Sequence, residues 1–223
     1  MIKFKCFISD VIKETPIIKS KPSMFKWFNR AVEDFKKNNK NIHTAKCPGI
    51  ISVLNHGWIQ RAYQDLTITT NGDLNSFKWE STFNQRETKY GSIIEDYVNF
   101  HPSDQLEKFK KFEKNTLTTV IKIQSPWYVT IPDGYSLLSM PVPYNDDTRF
   151  TAATGLLKGS NFLNIQLYWH RINSKEIIER GTPLCYYLLM KDEIFTEEIS
   201  EINDEDAFKI QEIQNNKRIE KKI

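Results

Sequence analysis

Cysteine is scarce in this chain: three in 223 residues, Cys6, Cys47 and Cys185. An odd number at wide, irregular spacing gives no disulfide framework and no zinc ligand set, and so predicts a reducing compartment. Histidine is also sparse, at His43, His56, His101 and His170. None falls in a His-x-His, His-x-Glu/Asp or His-x-x-x-His pattern that would make ligands converge, so no metal is expected. A cupin or a 2-oxoglutarate iron oxygenase would lack its ligand pair here. Gly-x-Ser-x-Gly elbows, Walker loops and dinucleotide-binding glycine turns are missing too.

Charge of one sign is not in excess. The 31 basic and 28 acidic side chains leave +3, too little for the concentrated basic face that nucleic acid requires. No window is apolar enough to cross a membrane. The start, Met1 to Asp10, has neither the apolar run nor the small-residue cleavage site of a signal peptide. The expected location is cytoplasmic: a host cytoplasm, or a virion assembled in one.

What is present in quantity is aromatic: 13% of the chain, with 14 Phe, 9 Tyr and 5 Trp. Aromatics favour strands, large cores and interfaces. From Ser125 to Met190, short β-branched and aromatic runs alternate with turns at Pro132-Asp133-Gly134, Asn145-Asp146-Asp147, Lys158-Gly159-Ser160 and Arg180-Gly181-Thr182-Pro183. That spacing predicts an antiparallel β-domain.

Upstream, residues 2–8 read as a strand. Phe25, Phe28, Val32 and Phe35 share one face of a helix over Met24–Lys37, within a helical segment of about 22–40, with Ser23 as N-cap. Lys36, Lys37 and Lys40 suit its negative end. Ile50–Leu54 reads as a short helix closed by His56-Gly57. Trp58–Thr69 reads as one strand, Asn71-Gly72-Asp73 as a hairpin turn and Phe77–Ser81 as the return. The pattern loosens from Thr88 to Lys114, with a brief helix over Gln105–Glu113, and strand character resumes over Leu117–Ile123. Pro132-Asp133-Gly134 reads as a hairpin between Val129-Thr130-Ile131 and Tyr135–Leu138. After Met190 comes an acidic run from Asp192 through Glu197, Glu198, Glu201 and Asp204–Asp206. Lys209, Lys217, Arg218, Lys221 and Lys222 follow. Ala207, Ile210 and Ile213, with Phe208 beside them, suggest an amphipathic helix, and the last ten residues of the chain are expected to fray.

Groups able to do chemistry all have structural readings. Cys185, within Leu184-Cys185-Tyr186-Tyr187, reads as a buried strand residue. Cys47, four residues after His43, is also read as structural, and Asp146-Asp147 as part of a turn.

The order Ile131-Pro132-Asp133-Gly134-Tyr135, Gly155-Leu156-Leu157, Asn164-Ile165-Gln166-Leu167 and Ile178-Glu179-Arg180-Gly181-Thr182-Pro183-Leu184 resembles the trimeric dUTPase and dCTP deaminase group. The resemblance implies a β-barrel scaffold and trimerisation. It does not imply the catalysis, because Lys158 follows Gly155-Leu156-Leu157 where that group has its water-activating aspartate. The group's Pro-Arg-Ser-Gly phosphate motif and glycine-rich C-terminal arm are missing as well. Over Lys21 to Lys191 the chain also resembles an uncharacterised family of tailed-phage and bacterial proteins. The matching features are Lys46-Cys47-Pro48, Trp58, Tyr63-Gln64-Asp65-Leu66, Ser125-Pro126-Trp127, Pro132–Ser136 and Glu179–Pro183. This resemblance implies a viral setting.

The expected fold is therefore mainly β (α+β): an antiparallel jelly roll or dUTPase-like β-barrel with an N-terminal helix and a charged C-terminal helical tail. Residues 1–191 would form the β-rich domain and 192–223 the tail. The expected function is that of a non-enzymatic, phage-type interaction or assembly protein, with a protein partner or self-association and no cofactor. The alternative is a nucleotide-binding or nucleotide-hydrolysing protein on a dUTPase-like scaffold. Its candidate ligand contacts are Asp133, Tyr135, Arg149, Lys158 and Arg180, with no catalytic residue named.

Overall fold

The structure is a computed structural model that describes residues 1–38, 44–81, 96–105, 111–193, 197 and 199–220. Lys40, His43, Thr88–Glu95, most of the expected Gln105–Glu113 helix, Glu198, Lys221 and Lys222 lie outside the described residues.

In chain order the elements are β1 (Lys3–Cys6), α1 (Ser9–Glu14), β2 (Ile18–Lys19), α2 (Lys26–Asn38), α3 (Pro48–His56), β3 (Trp58–Arg61), β4 (Leu66–Thr70) and β5 (Phe77–Ser81). Then come β6 (Val98–His101), β7 (Val120–Ile123), β8 (Trp127–Thr130), β9 (Tyr135–Met140), β10 (Phe150–Ala152), β11 (Gly155–Leu157), β12 (Ser160–Phe162), β13 (Ile165–Trp169), β14 (Lys175–Ile178), β15 (Pro183–Lys191) and α4 (Asp204–Glu220). The strands form four sheets, ordered β1-β8-β12, β10-β13-β7-β6, β11-β9-β15-β3-β2 and β14-β4-β5. Every pairing is antiparallel. The mainly antiparallel β expectation holds. The described strands form open sheets and do not close into a barrel.

Residues 1–192 form one compact unit, and Glu193–Ile223 a second. All four sheets contribute to the core of the first, through Val129, Ile121, Ile123, Leu167, Trp169, Leu137, Tyr187, Leu66 and Ile68. The five-stranded sheet is covered on its other face as well. There Ile59, Val142 and Tyr186 pack with Phe25, Trp27, Phe28, Ile50 and Leu54 from the α2 and α3 region. Burial on both faces is why Leu184-Cys185-Tyr186-Tyr187 is an unbroken apolar run rather than an alternating one. A bulge adds to this: Pro183 pairs with Arg61 and Cys185 with Gln60, so two steps of β15 oppose one of β3.

Several expectations change in the structure. The single strand over Trp58–Thr69 is two, broken at Ala62–Asp65, with β3 in the five-stranded sheet and β4 in the β14-β4-β5 sheet. Ala62 causes the break because its amide and carbonyl bond to Thr182 and Gly181, in the turn that leads into β15. Pro132-Asp133-Gly134 does reverse the chain, with the Tyr135 amide on the Pro132 carbonyl (3.2 Å) and Gly134 at φ +74. It is not a hairpin, however: β8 pairs with β1 and β12, and β9 with β11 and β15. Ser23 is not an N-cap, because Pro22–Met24 form a 3-10 turn and α2 begins only at Lys26. The Asn145–Thr148 turn is displaced to Val142–Asn145, closed by the Asn145 amide on the Val142 carbonyl.

In the second unit, the Asn203 side chain accepts the Asp206 amide (2.9 Å) and caps α4. Asp204, Glu205 and Asp206 occupy its first turn, where the positive end of the helix dipole favours acids. The helix continues to Glu220. Phe208, Ile210 and Ile213 are exposed.

Candidate functional site

Two segments that are far apart in sequence meet at a polar cavity of about 440 Å³. Tyr63-Gln64-Asp65 supplies one wall, Arg180 another, and Ile8, Asp10, Val11 and Glu14, in and just before α1, a third. The Arg180 amide donates to Asp65 Oδ1 (2.7 Å), and its guanidinium pairs with Glu14 Oε2 (2.5 Å). Gly181, at φ +90, makes the turn that brings Arg180 there. Behind this wall Tyr63 donates to the Gln124 carbonyl and packs edge-on against Tyr97, ring centroids 4.7 Å apart. Burial pushes both phenols up, so neither is a proton donor or acceptor near neutral pH. The neighbouring Cys6 thiol is pushed up to about 11 by burial and is no nucleophile in that state.

The other sequence candidates are divided between two further places. Asp133 is exposed on the turn between β8 and β9, and Tyr135 opens β9. Lys158 lies at the same end and pairs with Asp192 Oδ2 (3.0 Å). The other oxygen of Asp192 accepts the Ser136 hydroxyl (2.5 Å), and its amide bonds to the Gly134 carbonyl (2.8 Å). Ser136 first, then Lys158, hold the Asp192 carboxyl below the usual range. Arg149 is elsewhere, gripping both oxygens of Asp147 through Nε (3.0 Å) and Nη2 (2.6 Å). Its Nη1 donates to the Ile177 carbonyl. Burial raises Asp147, but the Arg149 hydrogen bonds outweigh it and the carboxyl ends below its ordinary value. The adjacent Asp146 pairs with Arg30 instead (3.3 Å), so the two neighbouring carboxylates diverge. Of the five candidates, Arg180 alone lines a cavity described here.

Cys185 is buried and its thiol pushed up to about 12 by burial. Cys47 is exposed and precedes α3 directly, a placement that its sequence context did not suggest. His56 bonds to the Ser52 carbonyl in the last turn of α3, and His170 sits between the Thr116 and Thr151 hydroxyls. Among the described residues, no three His, Cys, Asp or Glu are grouped to hold a metal. No helix among them is long and apolar enough to cross a membrane.

One surface was not legible as a site. β11 is an edge strand of the five-stranded sheet, and Leu156 there faces Leu138, which faces Leu188 on β15. This row continues the apolar layer under α2 and α3 outward to the sheet edge. It ends in solvent, with Leu156 55% and nearby Met190 44% exposed. Leu157, one residue on, points the other way into the main core. The signal in the sequence was Gly155-Leu156-Leu157: consecutive leucines on a strand, one of which has to face outward.

No family model and no curated protein matches the chain. Among solved structures, it is similar to a mutant dUTPase from phage phi11 of S. aureus, a structure that describes coordination of a structural Mg(II) ion. Identity is 9% and the TM-score 0.41, over 92% of this chain and 97% of that one. It is also similar to a mutant dUTPase of Staphylococcus bacteriophage 80alpha, with 14% identity and a TM-score of 0.26 over 62% of this chain and 96% of that one. Both of those proteins are phage dUTPases.

Proposed function

We propose that this chain is a non-enzymatic interaction or assembly protein of the phage type, and that it self-associates through the edge of its five-stranded sheet. The observation that carries this reading is the Leu156–Leu138–Leu188 row, which runs out of the core to β11, the strand that ends the sheet among the described residues. A bare apolar edge is costly in water and templates pairing with another strand. Two β11 edges meeting about a two-fold axis would bury Leu156 against its own counterpart in a self-complementary contact. Leu156→Lys tests this: the variant should keep its fold and lose the oligomer. An oligomer unchanged in mass would count against the reading.

The second reading is a nucleotide-binding protein using Asp133, Tyr135, Arg149, Lys158 and Arg180. Its support is Arg180, placed in a cavity large enough for a small ligand. The interaction reading is favoured because Arg149, Lys158 and Arg180 each already hold a carboxylate. Phosphate would have to displace Asp147, Asp192 or Glu14, and Asp10 and Asp65 stand in the same cavity as Arg180.

A further inference from the structure

A second cavity, of about 310 Å³, lies on the helix-covered side of the five-stranded sheet. Its walls are apolar and aromatic: Ile18, Phe25, Trp27, Ile59, Val142 and Tyr144. Arg61 stands among them, on β3 two residues after Ile59 and so on the same face of the sheet. Among the described residues, no carboxylate pairs with its guanidinium. Among the described residues, its one side-chain hydrogen bond runs from Nη2 to the Pro16 carbonyl oxygen at 3.4 Å, which is long for such a bond. Nε is shut off from water and has no partner. The Trp27 indole N–H, in the same cavity, is also buried and without a partner.

Buried donors without acceptors are uncommon in folded proteins, and a partly buried cation without a counter-charge more so. Here two such donors line one cavity. The third observation is Tyr144, which packs on Trp27 with ring centroids 5.5 Å apart and is 52% exposed at the rim. Its φ is +55, a conformation costly for an aromatic residue and typical of ligand clamps. The rim charges are Lys26, and Asp146 already paired with Arg30. The uncompensated charge is therefore positive.

We propose that this cavity binds a small aromatic carboxylate. The carboxylate would lie on the Arg61 guanidinium and the ring against the Trp27, Phe25 and Tyr144 wall. A planar forked cation fits a carboxylate in a two-point contact. A planar cation beside an apolar, aromatic wall matches a ring that carries one carboxylate, with Lys26 adding positive charge at the rim. The size fits as well, since a cavity of this volume is at the small end of ligand sites. This site is separate from the sheet edge and from the five candidates above.

The test is calorimetric and thermal titration of the full chain with benzoate and cinnamate, with benzamide as the uncharged isostere and dUMP as the phosphate competitor. Benzoate or cinnamate should bind saturably and raise the melting temperature, and benzamide should bind about tenfold to a hundredfold more weakly. Arg61→Met should abolish the carboxylate response and leave the melting temperature of the free protein equal or higher, because an unpaired charge has been removed. Should that variant not fold, Tyr144→Gly relieves the backbone strain, removes part of the ring wall and should weaken benzoate while keeping the fold. The proposal is overturned if neither acid saturates by about 10 mM, if acid and amide bind alike, or if dUMP binds in an Arg61-dependent way and the acids do not.

Discussion

Gly57 shows how one residue type can be imposed by a neighbour on another strand. A Cβ there would run into the ring of Tyr186, whose hydroxyl donates to the Val53 carbonyl one turn earlier in α3. Gly57→Ala should destabilise the protein by about 1–3 kcal/mol through overpacking. Most of that loss should disappear in the background of Tyr186→Ala, measured as a double-mutant cycle in urea. The sequence displays His56-Gly57 as a helix stop, which is correct, but nothing in it tells that Tyr186 is the reason for glycine. Ion pairs are similarly hidden. Asp147 next to Thr148-Arg149 reads as turn composition, whereas the structure has a two-point grip between its carboxylate and Arg149. The Asp147 pKa is depressed in the folded state, so its contribution to stability is present above the unfolded value and lost as pH falls through the folded one. Asp147→Asn should therefore lower the urea midpoint at pH 7 and narrow the gap from wild type as the pH drops below about 4.

At the scale of elements, local chemistry predicted reversals well and pairings poorly. Pro132-Asp133-Gly134 turns the chain as its residues demand, with Gly134 at φ +74. Which strands then pair is decided by registers between residues far apart in sequence, such as Leu138 with Leu188, and no turn encodes that. Gly134→Ala should cost about 1 kcal/mol, since the side chain meets no neighbour there and only the backbone is strained. A chemical denaturation curve at one pH would measure it. The α4 helix was legible from the spacing of Ala207, Ile210 and Ile213, and the structure adds the local supports: Asn203 before it, three acids in its first turn and the Glu205–Lys209 pair at 2.6 Å. Asn203→Ala should reduce stability of that helix by about 1 kcal/mol, visible as lower helicity of the tail.

For the whole molecule, composition and spacing were enough to give a mainly antiparallel β fold, because strand periodicity and turn residues carry that information directly. The sites were less legible. The polar cavity joins Asp65 to Arg180, 115 residues apart, and the apolar cavity joins Trp27, Arg61 and Tyr144. Both depend on which faces of which sheets meet, and single-sequence patterns do not report that. The account has this chain acting by contact rather than by catalysis, through an apolar row that leaves the core at β11. Light scattering coupled to size exclusion, run over a range of concentrations on the wild type and Leu156→Lys, tests that most directly. The account predicts a defined oligomer of the 26.3 kDa chain for the wild type and a folded monomer for the variant. A wild type that stays monomeric at every concentration, or a variant that keeps the oligomer, would contradict it.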